Sequence, residues 1–203
     1  MTNYHAHFDY NQVYHIYNWS NGREQIFLEE GHYQFFLKRF SEYVLPYLRV
    51  YAYAIMPNHF HFIVGVKCEK EVAVAIELER MVALWVRLDN DLNRFIAERF
   101  QRFLSSYAKA FNAQQNRNGS VFQRKYKRVL VKTDSNFTRL LHYVHHNPIH
   151  HGLSEEYGDW KYSSYNAMIS DQTTLIERAA VLEWFRCAWR LCFICQHRGW
   201  FSA

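Results

Sequence analysis

The chain has 203 residues, 49% of them hydrophobic and 18% aromatic, with only 7 Gly and 3 Pro, enough apolar mass for the core of one domain and too much for a largely disordered protein. The formal charge of +5 is unevenly carried: residues 99–139 hold ten Lys or Arg against one acid, Asp134, a pattern that fits either a phosphate footprint or a solvated helix face followed by a charged strand edge. No run approaches the ~18 apolar residues of a membrane span, and four Cys without paired spacing, three of them at 187, 192 and 195, point to reduced thiols in a cytoplasmic protein.

In chain order, residues 12–18 alternate apolar and polar and predict a first strand, closed by Asn21-Gly22. Tyr33, Phe36, Leu37 and Phe40 recur at helical spacing over residues 30–44, with Pro46 ending that helix. Residues 47–56 and 59–66 read as two strands joined tightly at Pro57-Asn58, hence a hairpin. A long helical region covers about 71–111, broken near 89–93, and a turn at 116–119 leads to a fourth strand over 126–133. The order β-α-β-β-α-β predicts an α+β, ferredoxin-like antiparallel sheet with helices on one face. A further helix follows from Ser135 to about Asn147, with Asp134 or Ser135 as its N-cap and Pro148 just past its end.

On the third predicted strand, alternation sends His59 and His61 to one face and Phe60 and Phe62 to the other. Two imidazoles on one rigid face form a partial divalent-metal site. Spacing alone is weak, since His5 and His7 repeat it in an unpatterned stretch; the alternative is a pair of strand histidines that only hydrogen-bond. On the late helix, Phe137, Leu140, Leu141 and Val144 must face the sheet, while Arg139, Tyr143 and Asn147, four apart, share another stripe. If that stripe borders the histidine strand, Tyr143 reaches the ion and the Asn147 amide oxygen completes its shell. The bland reading of Tyr143 is a boundary tyrosine on an amphipathic helix.

The motifs Met56-Pro-Asn-His-Phe-His-Phe-Ile63 and His142-Tyr-Val-His-His-Asn-Pro-Ile149, with Val13-Tyr-His-Ile-Tyr-Asn18, Gly119-Ser-Val-Phe-Gln-Arg-Lys-Tyr-Lys127 and Asp159-Trp-Lys-Tyr-Ser-Ser164, resemble the single-tyrosine HUH transposases, and within them the REP-associated tyrosine transposase branch. The resemblance covers about residues 11–185, taken as one domain spanning 1–185. It implies that His59 and His61 bind a divalent ion, Mg²⁺ or Mn²⁺, that Asn147 stands where the family has a helix-borne third ligand, and that Tyr143 is the nucleophile. It also implies single-stranded or hairpin DNA as partner, cut and rejoined through a 5′-phosphotyrosine by a monomer or homodimer.

Substrate contacts would then fall to Arg124, Lys125, Lys127, Arg128 and Lys132, with Arg139 on the helix. Phe122 and Tyr126 would either stack on unpaired bases or be buried. His142, His145 and His146 would face solvent or DNA rather than shuttle protons. Trp19 stands where relatives commonly carry a basic residue, and the Cys- and Trp-rich tail, 186–203, departs from the family's ending as a frameshifted or decayed terminus would. The competing functions are a catalytically inactive, domesticated nucleic-acid-binding module and a hydrolase that activates water.

Overall fold

The computed structural model describes residues 3–82 and 91–186. Its strands are β1 (Val13–Trp19), β2 (Leu48–Met56), β3 (His59–Val66) and β4 (Lys127–Val131). They form one antiparallel sheet in the order β2-β3-β1-β4, the arrangement the β-α-β-β-α-β pattern predicts. The β2–β3 hairpin turns on Pro57 and Asn58 alone, with Met56 opposite His59. The helices are α1 (Glu30–Tyr43), α2 (Glu69–Val82), α3 (Leu92–Gln114), α4 (Asp134–His150), α5 (Tyr165–Ile169) and α6 (Arg178–Arg186). The predicted break in the long helical region thus falls between α2 and α3, and Asp91 caps α3 by accepting a hydrogen bond from the Arg94 amide at 3.1 Å.

One face of the sheet is an aromatic core. Phe62 of β3 stacks on Phe40 of α1 at 4.3 Å between centroids, and Phe60 lies 5.2 Å from Phe36, which itself meets Phe103 of α3 at 4.6 Å. All five rings are fully buried, each such burial contributing about 1.5–3 kcal/mol. The other face receives α4, which buries Phe137, Leu141, Val144 and Pro148. It docks over β2, where the small side chains Ala52 and Ala54 share the face of His61 and let the helix come close. Helices therefore cover both faces, α1 and α3 on one and α4 on the other.

Two details of α4 differ from expectation. Its N-cap is Thr133, whose hydroxyl accepts from the Asn136 amide at 3.2 Å; Asp134 and Ser135 already lie inside the helix. Pro148 does not end it, for the helix runs on to His150. Proline's fixed φ suits a helix, and burial of Asn147 and Pro148 holds the preceding residue helical against its usual extended preference. The segment carrying His5 and His7, which lacks a pattern in sequence, runs along the outer edge of β4: the Arg128 amide donates to the Tyr4 carbonyl at 2.8 Å, and the Ala6 amide to the Arg128 carbonyl at 3.1 Å. Among the described residues no helix is long and apolar enough to cross a membrane. Of the predicted tail only Arg186, the last residue of α6, is described; 187–203 lie outside the described residues.

Candidate active site

The site lies where α4 passes over the β3–β1 pair. Register places Trp19 opposite His59 and Tyr17 opposite His61, so His15, Tyr17, Trp19, His59 and His61 share one face. His59 and His61 are 3% and 1% exposed, their rings perpendicular with centroids 5.4 Å apart. Each is held from behind. Nδ1 of His59 donates to Asn58 Oδ1 at 2.6 Å, and Nδ1 of His61 is hydrogen-bonded to Nε2 of His15 at 2.8 Å. Partners on Nδ1 fix the ring orientation and leave Nε2 as each ring's remaining nitrogen.

From α4, the predicted stripe arrives on the predicted side. Tyr143 stands edge-on to His61, centroids 5.4 Å apart and planes at 89°, and 6.1 Å from His15. It is 46% exposed, so its side chain is open to solvent. One turn on, Asn147 is buried, with Oδ1 3.4 Å from Nε2 of His59. Because His59 commits its Nδ1 proton to Asn58, that 3.4 Å contact sets two lone pairs against each other. Nδ2 of Asn147, meanwhile, is buried without a partner.

Burial drives the imidazoles toward neutrality. It holds the His15 pKa down at about 3 and that of His59 at about 4, with His151 adding to the depression and Asn147 opposing it. Burial again, and then His15, His59 and His151, keep His61 well below the usual histidine range. Neutral at pH 7, each of the three rings carries one lone pair, and the His15–His61 hydrogen bond uses one of them. Among the described residues no three His, Cys, Asp or Glu side chains group as a metal site.

The basic residues are not one stripe. Lys127 shares the face of the histidines, its Nζ 5.1, 5.8 and 5.2 Å from the ring centres of Tyr4, Tyr17 and Trp19, so a cation stands over Trp19. Arg128, the next residue, points to the α3 side, 9% exposed and 4.1 Å from the centre of Phe8. Arg124 and Lys125 are exposed in the lead-in to β4 and line a cavity with Arg128. Lys132 is exposed beyond the strand, and the exposed Arg139 bonds Ser135 Oγ at 3.2 Å.

Burial decides other readings, in favour of the buried alternative for Phe122 and Tyr126 and against the outward-facing expectation for His145. Phe122, 6% exposed, packs against Phe36, Phe60 and Tyr107, and Tyr126 lies 5.2 Å from Phe100; both belong to the core side rather than to a base-stacking surface. His145 faces inward, 5% exposed, with Nε2 2.8 Å from Ser164 Oγ, while His142 pairs with Tyr157 at 2.7 Å. His15 and His151, whose ring lies 4.8 Å from His59, are site neighbours that the motif spacing passes over.

No family model matches the chain. A curated Haemophilus influenzae protein that carries the name REP-associated tyrosine transposase is 27% identical over 137 residues, 63% of this chain and 74% of that protein. The fold agrees with a solved REP-associated tyrosine transposase bound to a REP hairpin, at TM-score 0.59, covering 84% of this chain and 87% of that one. The chain is similar in sequence to one REP-associated tyrosine transposase and in fold to another. At 15% identity the structural likeness speaks for the fold; the sequence relative speaks for the transposase name.

Proposed function

We propose that this protein cuts and rejoins single-stranded or hairpin DNA, with Tyr143 as nucleophile. The observation that carries the reading is that one helix delivers an exposed phenol to His61 and, one turn on, a buried amide oxygen to His59, two histidines of one strand face. The relative's transposase name and the hairpin bound by the structural neighbour give the reading its substrate class.

Tyr143 attacks the scissile phosphorus; a phenolic O–P bond forms, the P–O3′ bond breaks, the phenol gives up its proton, and the departing 3′ oxygen takes one up. The DNA is left joined to Tyr143 through its 5′ phosphate. Because the phosphoryl linkage is stored rather than hydrolysed, a second 3′-hydroxyl can attack it and restore the tyrosine. The half-exposed position of Tyr143 gives the phenol room to meet a strand laid along Tyr17 and Trp19, and site and nucleophile meet within one chain.

The residues fit a divalent cation: the opposed lone pairs of His59 and Asn147 lack a donor between them, and Nδ1 of each site imidazole is already engaged. His59, His61 and Asn147 would hold Mg²⁺ or Mn²⁺, which supplies polarisation of the scissile phosphate. Two imidazoles also suit later transition metals, so a metal series belongs in the test. Labelled hairpin DNA incubated with the full chain, with and without chelator, and resolved by denaturing electrophoresis is expected to give a covalent adduct that chelator abolishes. An adduct persisting in Tyr143→Phe overturns the assignment; free 5′ ends made in many turnovers without an adduct indicate water as the nucleophile instead.

A further inference from the structure

Behind β4, on the side of the sheet away from the histidines, lies a cavity of about 350 Å³ between the lead-in to that strand and α3. Arg124, Lys125 and Arg128 line it from one side, Arg94 and Glu98 from the other, with His5 at its rim. The one acid is already engaged, since Arg94 Nε donates to Glu98 Oε1 at 3.1 Å. Arg128 is the unusual member. Its residue is 9% exposed, its guanidinium lies over Phe8, Nη1 reaches only the Tyr126 hydroxyl at 3.5 Å, and Nε is buried without a hydrogen-bond partner. Among the described residues no carboxylate forms an ion pair with it.

A buried guanidinium without a counter-charge is costly, and an unsatisfied buried donor calls for a ligand. An anion in this cavity supplies the missing counter-charge, and the exposed Arg124 and Lys125 would attract it. Strand alternation adds the geometry. Lys127 presents its ammonium on the catalytic face and Arg128, one residue on, presents its guanidinium behind the strand, so a nucleic acid gripped by both must pass around the β4 end of the sheet. The outer edge of β4 is already paired with residues 4–6, which leaves side chains rather than strand addition as the means of contact.

Resting on the hairpin-DNA reading above, we propose that the Arg124–Lys125–Arg128 cavity is a phosphate-binding site that holds the backbone of the hairpin's duplex stem while the single-stranded end crosses the histidine face. The test uses full-length Tyr143→Phe protein, so that binding is read without chemistry, with a fluorescent stem-loop and a single strand of equal length, between 50 and 200 mM salt. Arg128→Leu, and separately Arg124→Gln with Lys125→Gln, are each expected to weaken stem-loop binding roughly tenfold. They are also expected to lower its salt slope by about one for each phosphate no longer gripped, with a smaller decrease for the single strand. If Arg128→Leu does not fold, the exposed double variant decides alone.

Unchanged stem-loop affinity and slope overturn the proposal. So does a second outcome: inorganic phosphate raises the Tm of wild type but not of the variants, while stem-loop affinity stays the same, which assigns the cavity to a free anion. Adduct formation by protein with Tyr143 intact, on a short single strand, reads the catalytic assignment separately, so either claim can fail alone.

Discussion

Phe60 and Phe62 on one face of β3 and His59 and His61 on the other are all at most 3% exposed, yet they are buried by different means. The phenylalanines meet other rings of α1, and their burial is favourable in itself. The histidines are buried at a cost, offset by one hydrogen bond behind each ring, from Asn58 and from His15. What distinguishes the two pairs is therefore what each burial leaves over: the two phenylalanines carry no polar atom to leave unpaired, whereas on the histidine side the Nε2 lone pair of His59 is left aimed at the Asn147 amide oxygen. A face that carries unspent lone pairs under an exposed tyrosine is organised for a ligand rather than for stability.

Substitutions can separate the two faces. The largest effect is expected for Tyr143→Phe: adduct formation falls at least about a thousandfold, while Tm stays near wild type, because Tyr143 is 46% exposed and surface changes stay within about 0.5 kcal/mol. Phe62→Ala should do the reverse in kind, costing about 3–5 kcal/mol of stability by urea unfolding, with adduct yield retained per folded molecule. His61→Ala tests the contrast on the same strand. It should abolish the adduct and cost about 1–3 kcal/mol, because His15 Nε2 loses its buried partner while water can enter past Tyr143. A stability loss from His61→Ala as large as that from Phe62→Ala would erase the distinction between the faces.

Legibility in the sequence follows the periodicities. Alternation over two residues suffices to set His59 and His61 apart from Phe60 and Phe62, and a four-residue spacing suffices to put Tyr143 and Asn147 on one stripe of α4. Two residues in contact across strands are another matter: His15 reaches His61 only through the β1–β3 register, which no local pattern encodes. His151 escapes notice because Pro148 reads as a stop, whereas the helix continues through it. The basic stripe is a misreading for which the sequence itself holds the correction. Alternation on β4 already separates Lys127 from Arg128, and charge counting overlooks it. Thr133, rather than Asp134 or Ser135, caps α4 because boundaries shift by a residue or two under tertiary packing.

Gly65→Ala probes how closely α4 and the sheet are fitted beside the site. Gly65 lies on the histidine face of β3, and a methyl there would sit 2.7 Å from the Tyr51 hydroxyl and 2.9 Å from its ring. Tyr51 cannot swing away freely, because its ring is edge-on to Phe137 of α4 and to Trp184. The expected cost is about 1–3 kcal/mol. If α4 shifts to relieve the contact, adduct yield per folded molecule should fall as well; if Tyr51 alone moves, yield should hold.

Near neutrality, where the folded and unfolded chains bind the same protons, the last effect nearly vanishes and grows only on acidification: a dependence of stability on pH from the buried side of α4. Burial holds the His145 pKa at about 3, and His142 adds to the depression, whereas an unfolded chain titrates near 6.5. With the folded value depressed, the unfolded state binds the extra proton. The contribution of neutral His145 is thus complete above about pH 6.5 and is lost as pH falls from there toward 3, by at most about 1.4 kcal/mol per pH unit. His145→Gln, which keeps a polar group near Ser164 Oγ without a titrating proton, should lower Tm at pH 7 yet flatten its decline between pH 6.5 and 4.5. An equal decline in wild type and variant would mean that the acid sensitivity comes instead from the histidines on the sheet.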